Sequence, residues 1–234
     1  MTGPHCALEW AVVLLPASGG APEPDQFAEA LGRAGLEVIL SVAIEEQILG
    51  DAVEWHSMAV IRAVGGIDPS AIARSPSGNL VGEGYLSASV ILPCQRIELD
   101  AVTDQNPRTW DEVDFPPTAE DPALLAVHLL SFEQPDEGSP RRVLDRSMGG
   151  LVDPAQGVRP EAWFFSCESH RPEGAWSEIR CNVYPSRAAF MAVVFDPERL
   201  GGHSAEESPG LHDPYTLLAR LQQTDLEALS RREA

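Results

Sequence analysis

The chain has 234 residues, 36 acidic and 16 basic, for a formal net charge of −20. Every basic residue is arginine, so lysine Schiff bases and a P-loop lysine are excluded, and so negative a charge repels phosphate backbones and anionic lipid, leaving nucleic acid and membranes as no expected partners. A hydrophobic content of 44% fits a folded chain, and 19 glycines with 20 prolines imply many turns.

Glu9 to Ala17 (EWAVVLLPA) predicts a first strand, too short to span a bilayer and with no basic residue before it. Asp25 to Ala34 carries Phe27, Ala30, Leu31 and Ala34 at helical spacing, with Asp25 as N-cap and Gly35 as the stop. Leu36 to Ile44 predicts a second strand, Gly50-Asp51 a turn, and Val53 to Val64 a third strand. Asp68 to Arg74 opens a short helix with Asp-Pro, and Ser89 to Ala101 closes the set with a strand that Pro93 marks as bulged or at an edge.

The order β-α-β-β-α-β then recurs. Leu124 to Phe132 predicts a strand, Ser139 to Val152 a weaker helix, and Glu161 to Glu168 with Ala175 to Tyr184 a strand pair. Ser186 caps a helix running to Phe195. Tyr215 to Leu226 supplies a closing strand, with a helix as the alternative because of its Leu and Gln content. Trp55 aligns with Trp176 at an offset of 121, and Leu99 with Leu226 at 127, as a duplication with small insertions gives. Residues 1–104 and 123–234 therefore read as two ferredoxin-like repeats, joined by an acidic, proline-rich linker over 105–122 that Trp110 or Phe115 could anchor. The fold class is α+β, with two antiparallel sheets packed as an α+β barrel. A pocket between the repeats is the expected site, and the Gly- and Pro-rich stretch 200–214 a candidate lid.

Trp176-Ser177-Glu178-Ile179, Tyr184-Pro185-Ser186-Arg187-Ala188-Ala189-Phe190 and Asp196-Pro197-Glu198, with Ala126 to Phe132 before them, resemble the bacterial domain-of-unknown-function family 1330. That resemblance implies the dimeric α+β barrel superfamily for residues 123 to 220. Relatives there include cofactor-free monooxygenases, cyclases, decarboxylases and haem-degrading enzymes. This chain departs at His128, where the family has Asn, at Ser131, Ser177 and Arg199, and at Glu206-Glu207 in place of a His-Arg pair.

Alternation on the strand after Ala175 puts Trp176, Glu178, Arg180, Asn182 and Tyr184 on one face and Ile179, Cys181 and Val183 on the other. The apolar set suits packing under helices, so the polar set is expected to face the space between the sheets. Glu178 and Arg180 are placed to pair. His128, among Ala126, Leu130 and Phe132, is the candidate general base near neutral pH, with a satisfied core histidine as the bland alternative. Arg180 would stabilise an oxyanion, Glu178 and Tyr184 would orient groups or relay a proton, and Trp163, Phe165, Trp176 and Asn182 would bind substrate. The first half's equivalent face (Ser57, Ala59, Ile61) is more apolar, which suits an amphiphilic substrate.

No ligand set with recognised metal spacing occurs, so neither metal nor cofactor is expected. The four cysteines are scattered, which points to a reducing cytoplasm, with Cys167 and Cys181 as packing residues. GxSxG, GxGxxG and P-loop motifs are absent. The expectation is a cytoplasmic, cofactor-independent enzyme on a small apolar or aromatic metabolite, of cyclase, isomerase or oxygenase type. The rival is a non-catalytic binding or assembly protein on the same fold. Two such chains could also associate as a homodimer.

Overall fold

The computed structural model describes residues 9–17, 22–33, 35–50, 53–63, 66, 90–96, 109–132, 157–166, 176–195 and 211–221. The helices expected over 68–74 and 139–152, and the 200–210 part of the candidate lid, lie outside them. Nine strands and two helices are described. They are β1 (Trp10–Pro16), α1 (Pro24–Arg33), β2 (Glu37–Ala43), β3 (Glu46–Leu49), β4 (Trp55–Arg62), β5 (Val90–Arg96), β6 (Leu124–Phe132), β7 (Arg159–Ser166), β8 (Glu178–Tyr184), α2 (Arg187–Val194) and β9 (Leu211–Arg220). No described helix is long and apolar enough to cross a membrane.

Local sequence accounts for both helices. Pro24 occupies the first turn of α1, where its missing N–H costs nothing. Asp25 follows it inside that turn and is not the cap. Phe27, Ala30 and Leu31 form the buried stripe. Gly35, at φ 82°, ends the helix: its N–H reaches the Gly32 carbonyl at 2.9 Å and Leu36 N–H reaches Leu31 at 3.3 Å, a Schellman stop that favours glycine. Ser186 caps α2 as its sequence predicts, accepting from Ala189 N–H at 3.1 Å and donating to the Phe115 carbonyl at 2.9 Å. Asp121 adds a second cap, one carboxylate oxygen accepting from Arg187 N–H at 2.7 Å and the other from Ala188 N–H at 3.0 Å. The linker is thereby fixed to α2. Its Trp110 indole donates to Gly157 O at 2.9 Å, while its ring lies 4.3 Å beneath the Arg159 guanidinium.

All nine strands join one hydrogen-bonded sheet in the order β2-β4-β1-β5-β7-β8-β6-β9-β3, where two separate sheets are expected from sequence. Within it, β2-β4-β1-β5 and β7-β8-β6-β9 repeat one strand order. They join because β5 pairs with β7, Cys94 to Arg96 opposite Ser166 to Phe164. Pro93 sits opposite Ala11, just before that ladder begins.

The two ends of the sheet meet at one stretch of chain. Only Ile44 and Glu45 separate β2 from β3. Ile44 N–H still bonds His56 O on β4 at 2.8 Å, and Glu45 N–H already bonds Leu218 O on β9 at 2.8 Å. β3 then continues along β9, Glu46 opposite Leu218. The sheet thus curls into a barrel. Its interior is one apolar cluster fed from both halves, including Val12, Leu40, Met58, Leu92, Val127, Phe164, Ile179, Cys181, Val183 and Leu217. Outside it, α1 covers Ala11, Val13, Ala59 and Ile61, and α2 covers Leu124, Ala126 and Tyr184.

Candidate functional site

The faces of β8 are reversed from the sequence expectation. Ile179, Cys181 and Val183 fill the barrel interior, while Tyr184 lies in the cluster under α2. Alternation then directs Glu178, Arg180 and Asn182 to the same helix side. On β6, likewise, Leu125, Val127 and Leu129 point inward and Leu124 and Ala126 lie under α2, which puts His128 on the helix side. The expected polar pocket between the repeats is replaced by packed apolar side chains. The physical reason is enclosure: side chains between the curled strands are cut off from water, so β8 turns its apolar face, Ile179, Cys181 and Val183, that way.

Register brings the candidates into one row. Arg180 stands opposite His128 on β6 and Trp163 on β7, and His128 stands opposite Thr216 on β9. The Arg180 guanidinium lies 5.0 Å from the Trp163 ring centroid. Its Nη2 contacts Glu178 Oε2 at 2.6 Å, and its Nε contacts the same oxygen at 3.2 Å. Glu178 is only 2% exposed, and its other oxygen, Oε1, has no hydrogen-bond partner among the described residues. Asn182 accepts the Trp163 indole proton at 2.8 Å, both side chains being buried, and so fixes the ring on which Arg180 rests.

His128 Nδ1 lies 3.3 Å from Thr216 Oγ1, with the direction of donation set by the tautomer. Burial lowers the His128 pKa to about 4, and the positive charge of Arg180 pushes the same way. The imidazole is therefore neutral at neutral pH. It is a weaker proton acceptor than an ordinary histidine, which corrects the expectation of a base poised near pH 7.

The other expected site residues divide. Phe165 is half-buried and opposite Glu178, within the cluster's neighbourhood. Tyr184 is buried and meets Phe190 of α2 edge to face at 5.2 Å, four residues along the strand from Arg180, or roughly 13 Å at strand spacing. Trp176 is not on this face. It enters the barrel interior, between Trp55 at 6.0 Å and Tyr215 at 5.2 Å. Thr216 was missed from sequence, although alternation from Leu217 and Ala219 would have put it beside His128. Cys181 is buried, its thiol pushed up to about 12, and Cys94 is raised further by burial, so both are packing residues. Among the described residues, no group of three or more His, Cys, Asp or Glu is arranged to hold a metal ion.

No family model matches the chain, and no curated protein matches it. Among solved structures, a protein described as a monooxygenase from Lactobacillus acidophilus NCFM is 11% identical, covering 91% of this chain and 92% of its own, with a TM-score of 0.41. A mutant chlorite dismutase from Candidatus Nitrospira defluvii is 9% identical, covering 97% of each chain, with a TM-score of 0.47. A second mutant of that enzyme is 8% identical over 96% of this chain and 97% of its own, with a TM-score of 0.48. These overlaps are loose, and the site's chemistry rests on this chain's own residues.

Proposed function

We propose that the protein is a cofactor-independent enzyme acting on a small apolar or aromatic metabolite, bound on the helix side of the β7-β8-β6-β9 face. The observation that carries this reading is the row Trp163–Arg180–His128–Thr216 with Glu178 beside it: a buried ion pair, a flat ring 5.0 Å from its guanidinium and a neutral imidazole at the paired position of the next strand. A buried ion pair is weak support for stability, because desolvation offsets its attraction, so such a group calls for another role. Arg180 would hold negative charge that develops on a substrate oxygen. Glu178 orients it, and His128, held by Thr216, would hydrogen-bond to the substrate as a neutral imidazole. Tyr184, seated under α2, has no reacting part. Residues 1–104 and 123–234 would be duplicated units, with 105–122 joining them, and the repeated strand order supports this.

The second reading, a non-catalytic small-molecule-binding or assembly protein, is favoured by the low proton affinity of His128. Metabolite profiles separate the two. Extracts of a strain lacking the gene are compared by mass spectrometry with the parent and with strains carrying His128→Ala or Arg180→Gln. An enzyme gives one accumulating and one vanishing compound in the deletion and in Arg180→Gln, and their mass difference gives the reaction class. A deletion effect that both variants reverse in full would overturn the assignment to this row. No difference in any strain favours binding or assembly.

A further inference from the structure

The two halves meet at two seams, and the seams are built differently. At one, β5 pairs with β7 at three positions, and Cys94 and Phe164 there are buried in the interior cluster. At the other, β3 pairs with β9 at Glu46, Gln47 and Leu49. Tyr215 to Ala219 of β9 are all buried. None of the four β3 residues is, and Leu49 is 49% exposed. Ile48 packs, partly buried, against the cluster under α2.

Charge adds to this fastening. Arg187 of α2 holds Glu46 through two nitrogens, Nη2 at 2.8 Å and Nε at 3.0 Å, and Arg220 at the end of β9 reaches Glu45 at 3.3 Å. These four side chains are between 41% and 63% exposed. An open cleft of about 130 Å³ runs beside them, lined by all four together with Glu120 and Asp121. Water thus reaches both ion pairs, and exposed pairs hold weakly. Other bonds of β3 stay within its own hairpin. Gln47 donates to the Gly50 and Val53 carbonyls and accepts from Trp55 N–H at 3.3 Å, which binds β3 to the turn that follows it. The partner also changes abruptly along the chain: Ile44 N–H bonds β4, and the next amide, Glu45 N–H, bonds β9. A segment with little buried apolar surface and exposed fastenings opens locally while the core stays folded.

We infer that Glu45 to Leu49 is a strap that parts from β9 and recloses as a unit, hinged between Ile44 and Glu45, while β2, β4 and β9 stay in place. Closed, it completes the barrel. Open, it leaves β9 paired on its β6 side alone. Leu49 stands opposite Thr216, whose hydroxyl lies 3.3 Å from His128 Nδ1, so the strap supports the outer side of the strand that ends the row. Regulation of the row by the strap rests on the enzymatic reading above, whereas the strap itself does not.

Native-state hydrogen exchange of the full, nitrogen-15-labelled chain tests it at two neighbouring amides, each rate being compared with that of the same sequence unfolded. Glu45 N–H, bonded to β9, should be protected at least about tenfold less than Ile44 N–H, bonded to β4. Arg187→Gln and Arg220→Gln should each lower the protection of Glu45 about threefold, and together about tenfold, with Ile44 unchanged. Glu46→Gln breaks the first pair from the strap side and should match Arg187→Gln, so the test survives if that α2 variant fails to fold. Equal protection of the two amides overturns the inference, because they then open together. So does a Glu45 amide that none of the variants moves, or a loss of protection that Ile44 and Glu45 share alike. No substrate enters these measurements, so their failure is distinct from that of the metabolite profiles.

Discussion

Trp55 and Trp176 meet edge to face inside the barrel, ring centroids 6.0 Å apart and planes at 71°. Trp55 opens β4, and Trp176 stands two residues before β8. The contact therefore ties β4 to the segment that enters β8 across the interior. Trp176→Ala should cost about 3 to 5 kcal/mol, the range for removing a buried aromatic. Urea unfolding would show it as a lower midpoint with an unchanged slope. A loss below about 1 kcal/mol would mean that the aromatic trio is not part of the shared core.

Two glycines separate strain from collision. Gly35 and Gly50 both have positive φ, at 82° and 88°. A side chain at Gly35 meets open space, whereas a Cβ at Gly50 overlaps the Tyr215 ring. Gly35→Ala should cost roughly 1 kcal/mol from backbone strain alone. Gly50→Ala should cost clearly more, because Tyr215 must shift and its bond from Val53 N–H is lost. Melting temperatures of the two variants give the comparison.

The start of α2 offers a test of coupling. Ser186→Ala removes the cap of Ala189 N–H and should cost about 1 kcal/mol. Asp121→Ala removes two further acceptors, from Arg187 and Ala188. Because the two caps share one helix end and one linker, the double variant should depart from additivity by at least about 0.5 kcal/mol. Denaturation of the four proteins in a cycle measures this.

Acid should act through His128. Its pKa falls from an ordinary 6.5 to about 4 on folding, so the unfolded chain binds more protons between those values. Stability is then retained above pH 6.5, falls as pH drops, and has lost this contribution once pH passes about 4. His128→Gln should flatten the change in urea midpoint between pH 6.5 and 4.5. Glu46, lowered mainly by its hydrogen bond from Arg187, loses its contribution only as pH falls below the ordinary carboxylate range, so it does not mask this window.

Strand positions were legible wherever residues carry their own pattern. β6 covers Leu124 to Phe132 as read, and Ser186 caps α2 as read, because a β-rich run and a capping serine are local signals. Two things were not legible. Alternation on β8 separates its faces but does not say which one meets the shared interior, since that depends on how completely the other half encloses it. β3 was missed altogether. Glu46 to Leu49 is four residues long with acids before and within it, and its partner, β9, lies far along the chain.

Those same acids acquire a purpose from the order in which the chain is made. Glu46 faces Leu218, so during synthesis β3 waits until the roughly 170 residues between them have emerged, roughly 10 to 30 seconds at ordinary rates of translation. Through that interval a bare strand would invite any passing edge, and Glu45 and Glu46 keep it unattractive. Once β9 arrives, Arg220 takes Glu45 and Arg187 takes Glu46, and the charges that guarded the nascent edge become its clasp.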